Sequence, residues 1–148
     1  MSDIYIPEVF LTYGSKSALC SVVSNCYEAA AFIHDKIGKG LVERFILLCM
    51  DYDYHPINYS ILSIGNSDKI VVDLGELFRI SLLCGAKRIL VAHNHLGSSL
   101  EPTESDIKTT KMIGSVSRML DIELIDSMIV INDGDWISIR KYVMENGL

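Results

Sequence analysis

The chain has 148 residues, of which 49% are hydrophobic, and a formal net charge of −6. A single domain of this length buries about two-thirds of the surface that its unfolded chain would expose, so we expect one compact core. The acidic balance argues against strong non-specific nucleic-acid binding, which needs a basic surface. The N-terminus lacks the basic and apolar segments of a signal peptide, and no run approaches the roughly 18 apolar residues of a membrane span.

The cysteines favour a reduced, cytoplasmic setting. The four of them form no C-x-x-C pair, and Cys49 and Cys84 lie in apolar runs, as small buried side chains do. Nothing in the composition opposes a homo-oligomer.

The first half of the chain is predicted to begin with an N-terminal β extension over residues 1–24, because two β-rich runs flank a Gly-Ser-Lys turn. Asn25 is expected to cap a helix over 27–37, whose apolar residues recur at helical spacing. A buried strand over 43–51 and a second strand over 56–64 that pairs back on it should follow.

The second half is predicted to alternate helices and strands. Asp73 opens a helix that Gly85 stops, a strand over 88–92 ends at two histidines, and a long helix covers 103–120. Strands over 122–131 and 136–140 are joined by an Asn-Asp-Gly turn, and 144–148 should form a frayed end. This order predicts a mixed β-sheet flanked by helices, an α/β sandwich, over residues 25–148.

The most informative feature is His93-Asn94-His95, with Asp106 eleven residues after the second histidine. If the strand continues through them, both imidazoles point to the same side, and Asp106 lies in the first turn of the next helix. Two imidazoles and a carboxylate match the three protein ligands of a catalytic zinc site. Two alternatives stay open: a chance spacing, and a capping box in which Thr103 and Asp106 serve the helix start.

The combined pattern of His93, His95, Thr103 and Asp106 resembles the JAMM (MPN) metalloprotease signature. The sequence H-N-H, with Pro102 before the hydroxyl residue, is similar to the RadC branch of that superfamily. Further agreement covers most of residues 25–140: Glu43-Arg44-Phe45, the segment DLGELF from Asp73, and Leu124-Ile125-Asp126 followed by MIVI.

This resemblance implies a JAB/MPN three-layer sandwich, related to the cytidine-deaminase fold, with one Zn²⁺ held by His93, His95 and Asp106. It implies that Glu43 acts as the base and that Thr103 donates its hydroxyl to the oxyanion. Without it, Glu43 would be an exposed carboxylate at a strand start and Thr103 a helix cap. The implied activity is hydrolysis of an amide or isopeptide bond in a peptide or protein substrate.

Three positions differ from the usual family pattern: Leu96 replaces proline, Thr103 replaces serine and Ser127 replaces histidine. The chain is also expected to be a short form without the helix-hairpin-helix domain. The alternative functions are a non-catalytic metal-binding module in DNA repair or mobile-element biology, and a nuclease that uses the same metal. Asn94 should brace the histidine loop, while Asp126 either supports a ligand histidine or is a plain strand carboxylate.

Overall fold

The computed structural model describes residues 25–64 and 72–148. The described helices are α1 (Cys26–Ile33), α2 (Leu74–Leu83), α3 (Glu104–Met119) and α4 (Ile139–Asn146), with a π-helical turn at His34–Gly38 after α1. The described strands are β1 (Arg44–Met50), β2 (Pro56–Ile64), β3 (Arg88–Asn94), β4 (Glu123–Val130) and β5 (Trp136–Ser138). The predicted β extension at 1–24 lies outside the described residues.

The strands form a mixed sheet in the order β2-β1-β3-β4-β5. Strand β1 is antiparallel to both β2 and β3, β3 and β4 are parallel, and β4 and β5 are antiparallel. The parallel pair is joined through α3, as parallel strands require a crossover connection. The predicted mixed α/β architecture is therefore confirmed.

Helices cover both faces of this sheet because the strands are apolar on both faces. Along β1, Ile46 and Leu48 pack with α1 and the π-helical turn, whereas Phe45 and Leu47 pack with α2 and α3. Side chains that alternate across a strand explain this division. Burial on both faces produces the three layers of the sandwich.

The predicted helix starts are confirmed by their caps. The side chains of Asn25, Asp73 and Thr103 each accept a hydrogen bond from the backbone N–H three residues later. Gly85, with a φ of +71°, follows the end of α2, where a left-handed residue terminates a helix at low cost.

The helix predicted over 27–37 is confirmed, since α1 continues into the π-helical turn, where His34 Nε2 lies 2.9 Å from the Asn132 carbonyl oxygen. The strand predicted over 136–140 and the frayed end predicted over 144–148 were wrong. The frayed end is instead α4: Ser138 ends β5 early and caps the helix by accepting from Lys141 N at 3.0 Å. The fully buried Ile139 then anchors this helix.

Among the described residues, no helix is both long enough and apolar enough to cross a membrane.

Candidate metal centre

The two histidines lie where β3 leaves the sheet. His93 pairs with Phe45 of β1 and Ile129 of β4, and its ring stacks on Phe45 with an interplanar angle of 8°. His95 follows the strand, but its backbone N–H still bonds the Val130 carbonyl at 2.9 Å, so the strand geometry continues through it. Both imidazoles therefore point to the face covered by α3, as predicted.

Asp106 completes a compact group of three ligand side chains. The Nε2 atoms of His93 and His95 are 3.0 Å apart, and they lie 3.1 Å and 3.3 Å from the Oδ1 and Oδ2 atoms of Asp106 respectively. In a tetrahedral zinc site with bonds near 2.0 Å, ligand atoms are separated by about 3.3 Å. The donor types and their separations thus fit a tetrahedral metal site with three protein ligands.

Asp106 forms the predicted capping box and also lies beside the two histidines. Its amide donates to Thr103 Oγ1 at 3.1 Å, and its Oδ2 accepts from the Thr103 amide at 2.8 Å, which is a complete capping box. The cap orients the carboxylate, so that its two oxygens face one histidine each. The start of α3 therefore serves as the scaffold of the site.

The electrostatics of the group favour a charged carboxylate. Partial burial alone would raise the pKa of Asp106, but hydrogen bonds from His93 and His95 outweigh it and hold that pKa well below its usual range. The pKa of His95 is raised, chiefly by its hydrogen bond to Asp106, with further contributions from the Ser99 carbonyl and the charges of Asp106 and Glu43. A cation is thus favoured between these side chains.

The loop after β3 fixes the ring of His95. Its Nδ1 lies 3.1 Å from the Ser99 carbonyl oxygen, and a carbonyl can only accept, so Nδ1 carries a proton. The neutral ring then presents Nε2 with a free lone pair to the site. Gly97 adopts a φ of +99°, which allows the loop to turn back towards the histidine. This role of Ser99 belongs to its backbone, and the sequence carried no side-chain signal for it.

Glu43 lies at the same edge of the sheet, just before β1. Phe45 pairs with His93, and the residues just before Phe45 contact the next residue of β3, Asn94. Asn94 holds them there: its Oδ1 accepts from Arg44 N at 2.6 Å, and its Nδ2 donates to the Val42 carbonyl at 3.1 Å. The predicted bracing of the histidine loop by Asn94 was wrong, because its side chain bonds the segment that leads into β1 instead.

The catalytic roles of Glu43 and Thr103 stay predictions. Glu43 is half-buried and contributes to the raised pKa of His95, after the larger effect of Asp106. The Thr103 hydroxyl is a helix cap, but it acts there as an acceptor. Its own proton is therefore not used by the cap and is available to a substrate oxygen.

Other polar residues take structural roles. Asp126 accepts from Ser127 N at 2.7 Å and from Ser138 Oγ at 2.8 Å, so it links β4 to β5, and burial raises its pKa. The structure thus supports the plain strand carboxylate for Asp126. His55 was expected at the surface, and it lies there in a turn with Asp51, whose Oδ2 is 3.3 Å from Nδ1.

Asp51, Asp53 and His55 form a second group that could hold a metal ion, and sequence reasoning missed it. The alternation D-x-D-x-H was its signal. Asp51 already accepts from the amides of Asp53 and His55, so the group closes the turn by itself. The side chains of Asp51 and His55 are 44% and 57% exposed, against at most 17% in the histidine group, and Asp53 is exposed as well.

Comparison with known proteins identifies relatives over most of the chain. A family model described as the RadC-like JAB domain matches residues 23–145. A UPF0758 protein of Cyanothece is 29% identical over 129 residues, which are 87% of this chain and 53% of that protein. A UPF0758 protein of Finegoldia magna is 33% identical over 107 residues, covering 72% of this chain and 48% of its own length. The chain spans about half the length of the curated relatives it matches.

Proposed function

Since this chain belongs to the RadC-like JAB domain family, we propose that it is a zinc-dependent hydrolase that cleaves an amide or isopeptide bond. The observation that carries the proposal is the group formed by His93, His95 and Asp106, whose ligand atoms lie 3.0–3.3 Å apart. Such spacing brings two imidazoles and a carboxylate to one point, at the edge of the sheet where a loop is exposed to solvent.

Zinc bound by these three side chains would supply a water of pKa near 7 and would polarise the scissile carbonyl. Glu43 is proposed to accept the proton of the attacking water and to deliver it to the leaving amine. Two observations support this role: the charge of Glu43 contributes to the raised pKa of His95, and Asn94 bonds the backbone on either side of Glu43, at Val42 and Arg44. These two hydrogen bonds are called the Asn94 clamp. The free proton of the Thr103 hydroxyl is proposed to stabilise the developing negative charge, and one such donor is worth about 3 kcal/mol.

The metal content of purified protein tests the first half of this proposal. We expect close to one equivalent of zinc per chain by elemental analysis, and its loss in His95→Ala. His55→Ala is the matched control, because it removes an exposed imidazole from the other potential ligand group. Stoichiometric zinc that survives in the double variant His93→Ala/His95→Ala would exclude this site.

Hydrolysis is tested separately with a mixed oligopeptide library and a set of isopeptide-linked lysine peptides, analysed by mass spectrometry. The zinc-loaded protein should generate new amino termini, and Glu43→Gln should abolish this while keeping its zinc. Glu101→Gln, which neutralises an exposed carboxylate near the site, should leave cleavage unchanged. Equal cleavage by Glu43→Gln would contradict the assigned base, and bound zinc without any cleavage would favour a non-catalytic metal module.

A further inference from the structure

A small cavity lies behind His93, between the sheet and α3. Its volume is about 20 Å³, which is enough for one water molecule. Phe45 and Val72 form apolar parts of its wall, and the polar residues of the lining are His93 and Asp106 from the metal group and the hydroxyl residues Ser105, Thr109, Thr110 and Ser127. These polar residues offer hydrogen-bond partners for one ordered water.

Thr110 and Ser127 form a hydrogen-bonded pair in the wall of this cavity. Thr110 Oγ1 donates to Ser127 Oγ at 3.0 Å, and the two residues are only 7% and 2% exposed. Ser127 pairs with Val91 on the parallel strand, so its side chain lies on the same face as that of His93, two residues further along β3. Because Ser127 acts as the acceptor in this pair, its own proton is free to donate into the cavity.

His93 differs from His95 in the support of its second ring nitrogen. Its Nε2 faces His95 and Asp106, so Nδ1, on the other side of the ring, is directed away from them. His95 Nδ1 has the Ser99 carbonyl, whereas no hydrogen bond joins His93 Nδ1 to any protein group in residues 25–64 and 72–148. A histidine that binds a metal generally donates its other N–H to a carboxylate, a carbonyl or a water.

We propose that Thr110 and Ser127 are positioning residues, which hold one water molecule in this cavity so that it accepts the Nδ1–H of His93. This inference rests on the proposed metal centre. The water receives hydrogen bonds from His93 and Ser127 and can donate to the neighbouring hydroxyls, which satisfies the two to four partners that a buried water needs. The neutral His93 ring is then fixed with its Nε2 lone pair directed at the zinc position.

The zinc affinity of variants at Thr110 tests this role. Thr110→Val keeps nearly the same shape but removes the hydroxyl, and Thr110→Ser keeps the hydroxyl but removes a methyl group. We expect Thr110→Val to weaken zinc binding by about 10-fold or more in a chelator competition, the range found when such supporting groups are lost. Thr110→Ser should retain the affinity of the unchanged protein.

Ser117→Ala is the control, because it removes a buried hydroxyl of the same helix that has no hydrogen-bond partner among the described residues. It should not change zinc affinity. Thermal unfolding of each metal-free variant identifies any variant that fails to fold. Equal zinc affinities for Thr110→Val and Thr110→Ser would overturn the proposal, because the hydroxyl would then be irrelevant.

Crystal structures of the metal-free protein give a second readout that does not depend on zinc. We expect one ordered water within hydrogen-bond distance of both His93 Nδ1 and Ser127 Oγ, and its loss in Thr110→Val/Ser127→Ala. A cavity without such density, at a resolution that shows other buried waters, would overturn the proposal. Failure of the proposed metal centre can be told apart from failure of this positioning role. In the former case the unchanged protein would bind no zinc, while the water could still be observed.

Discussion

Asp106 links the folding of α3 to the chemistry of the site, because one carboxylate closes the capping box and contacts both histidines. Asp106→Asn keeps a side-chain acceptor for the cap but removes the charge that a metal requires. We therefore expect it to lose stoichiometric zinc, measured by elemental analysis. Metal-free stability should fall in urea unfolding by about 1 kcal/mol for the weakened cap, with a further loss because the charged contacts to His93 and His95 are removed.

Thr103→Ala is the matched variant for Asp106→Asn. It removes the other half of the capping box and should also cost about 1 kcal/mol of stability, but no ligand atom is lost. Zinc content should therefore stay at that of the unchanged protein. If Thr103→Ala loses zinc to the same extent as Asp106→Asn, the cap rather than the carboxylate would be the critical element.

The raised pKa of His95 predicts how zinc affinity depends on pH. Its hydrogen bond to Asp106 favours the imidazolium, so a proton and a zinc ion compete for Nε2. Apparent zinc affinity should rise with pH, by about tenfold per unit for each proton released, and level off above the raised pKa. Chelator competition between pH 5.5 and 8.5 measures it, and a flat profile would contradict this competition.

The raised pKa of His95 has the opposite consequence for the stability of the metal-free protein, which should decrease as the pH rises. A raised histidine pKa contributes stability that is fully present below the unfolded value of about 6.5 and is lost as pH rises through the folded value. The Asp106 carboxylate, whose pKa is lowered, stays charged over this range. In urea unfolding, the free energy of unfolding should therefore contain a larger contribution from His95 at pH 6 than at pH 8.5. This difference between the two pH values should be absent in His95→Ala.

At the scale of elements, the site forms where β3 ends, α3 begins and β1 enters the sheet. Asn94 joins two of these elements by its bonds to Val42 and Arg44, and it is fully buried. Asn94→Ala would leave both backbone groups without their partner, at a cost of about 1–3 kcal/mol each where they are buried. We expect lower thermal stability, retained zinc and reduced turnover, because Glu43 would lose its support.

Loss of zinc in Asn94→Ala would instead mean that the clamp supports the histidines and not Glu43. Asn132→Ala is a suitable control, because it removes an exposed amide from the turn at the same edge of the sheet. That turn is held to His34 through the backbone carbonyl of residue 132, which the substitution keeps.

At the scale of the whole molecule, the charge of −6 predicts weak or no sequence-independent DNA binding by this chain. Lys108, Lys111 and Arg118 lie exposed along α3, but a strip of three cations contacts few phosphates. A gel-shift titration with duplex and branched DNA at low and moderate salt measures this. Tight binding that falls steeply with salt would favour the DNA-repair module over the hydrolase.

Local sequence determined much of this protein. Hydrogen bonds within a few residues account for the helix caps at Asn25, Asp73 and Thr103. Side-chain directions along a single strand account for the shared face of His93 and His95. Residues two apart on a strand share a face, and the third residue of a helix reaches its cap, wherever the segment lies. Spacing alone left chance and a capping box open as alternatives for His93, His95 and Asp106, and the family resemblance led to their prediction as one ligand group.

Tertiary structure decided the features that join distant segments. Pairing of β1 with β3 brings the start of β1 to His93, across about fifty residues. The support of His95 comes from a backbone carbonyl that has no sequence signature. The helix α4 forms because Ile139 is buried and Ser138 caps it, although residues 136–140 had a strand pattern. Thr110 meets Ser127 only because α3 packs on β4. Such contacts depend on register and packing between elements, which local periodicity does not encode.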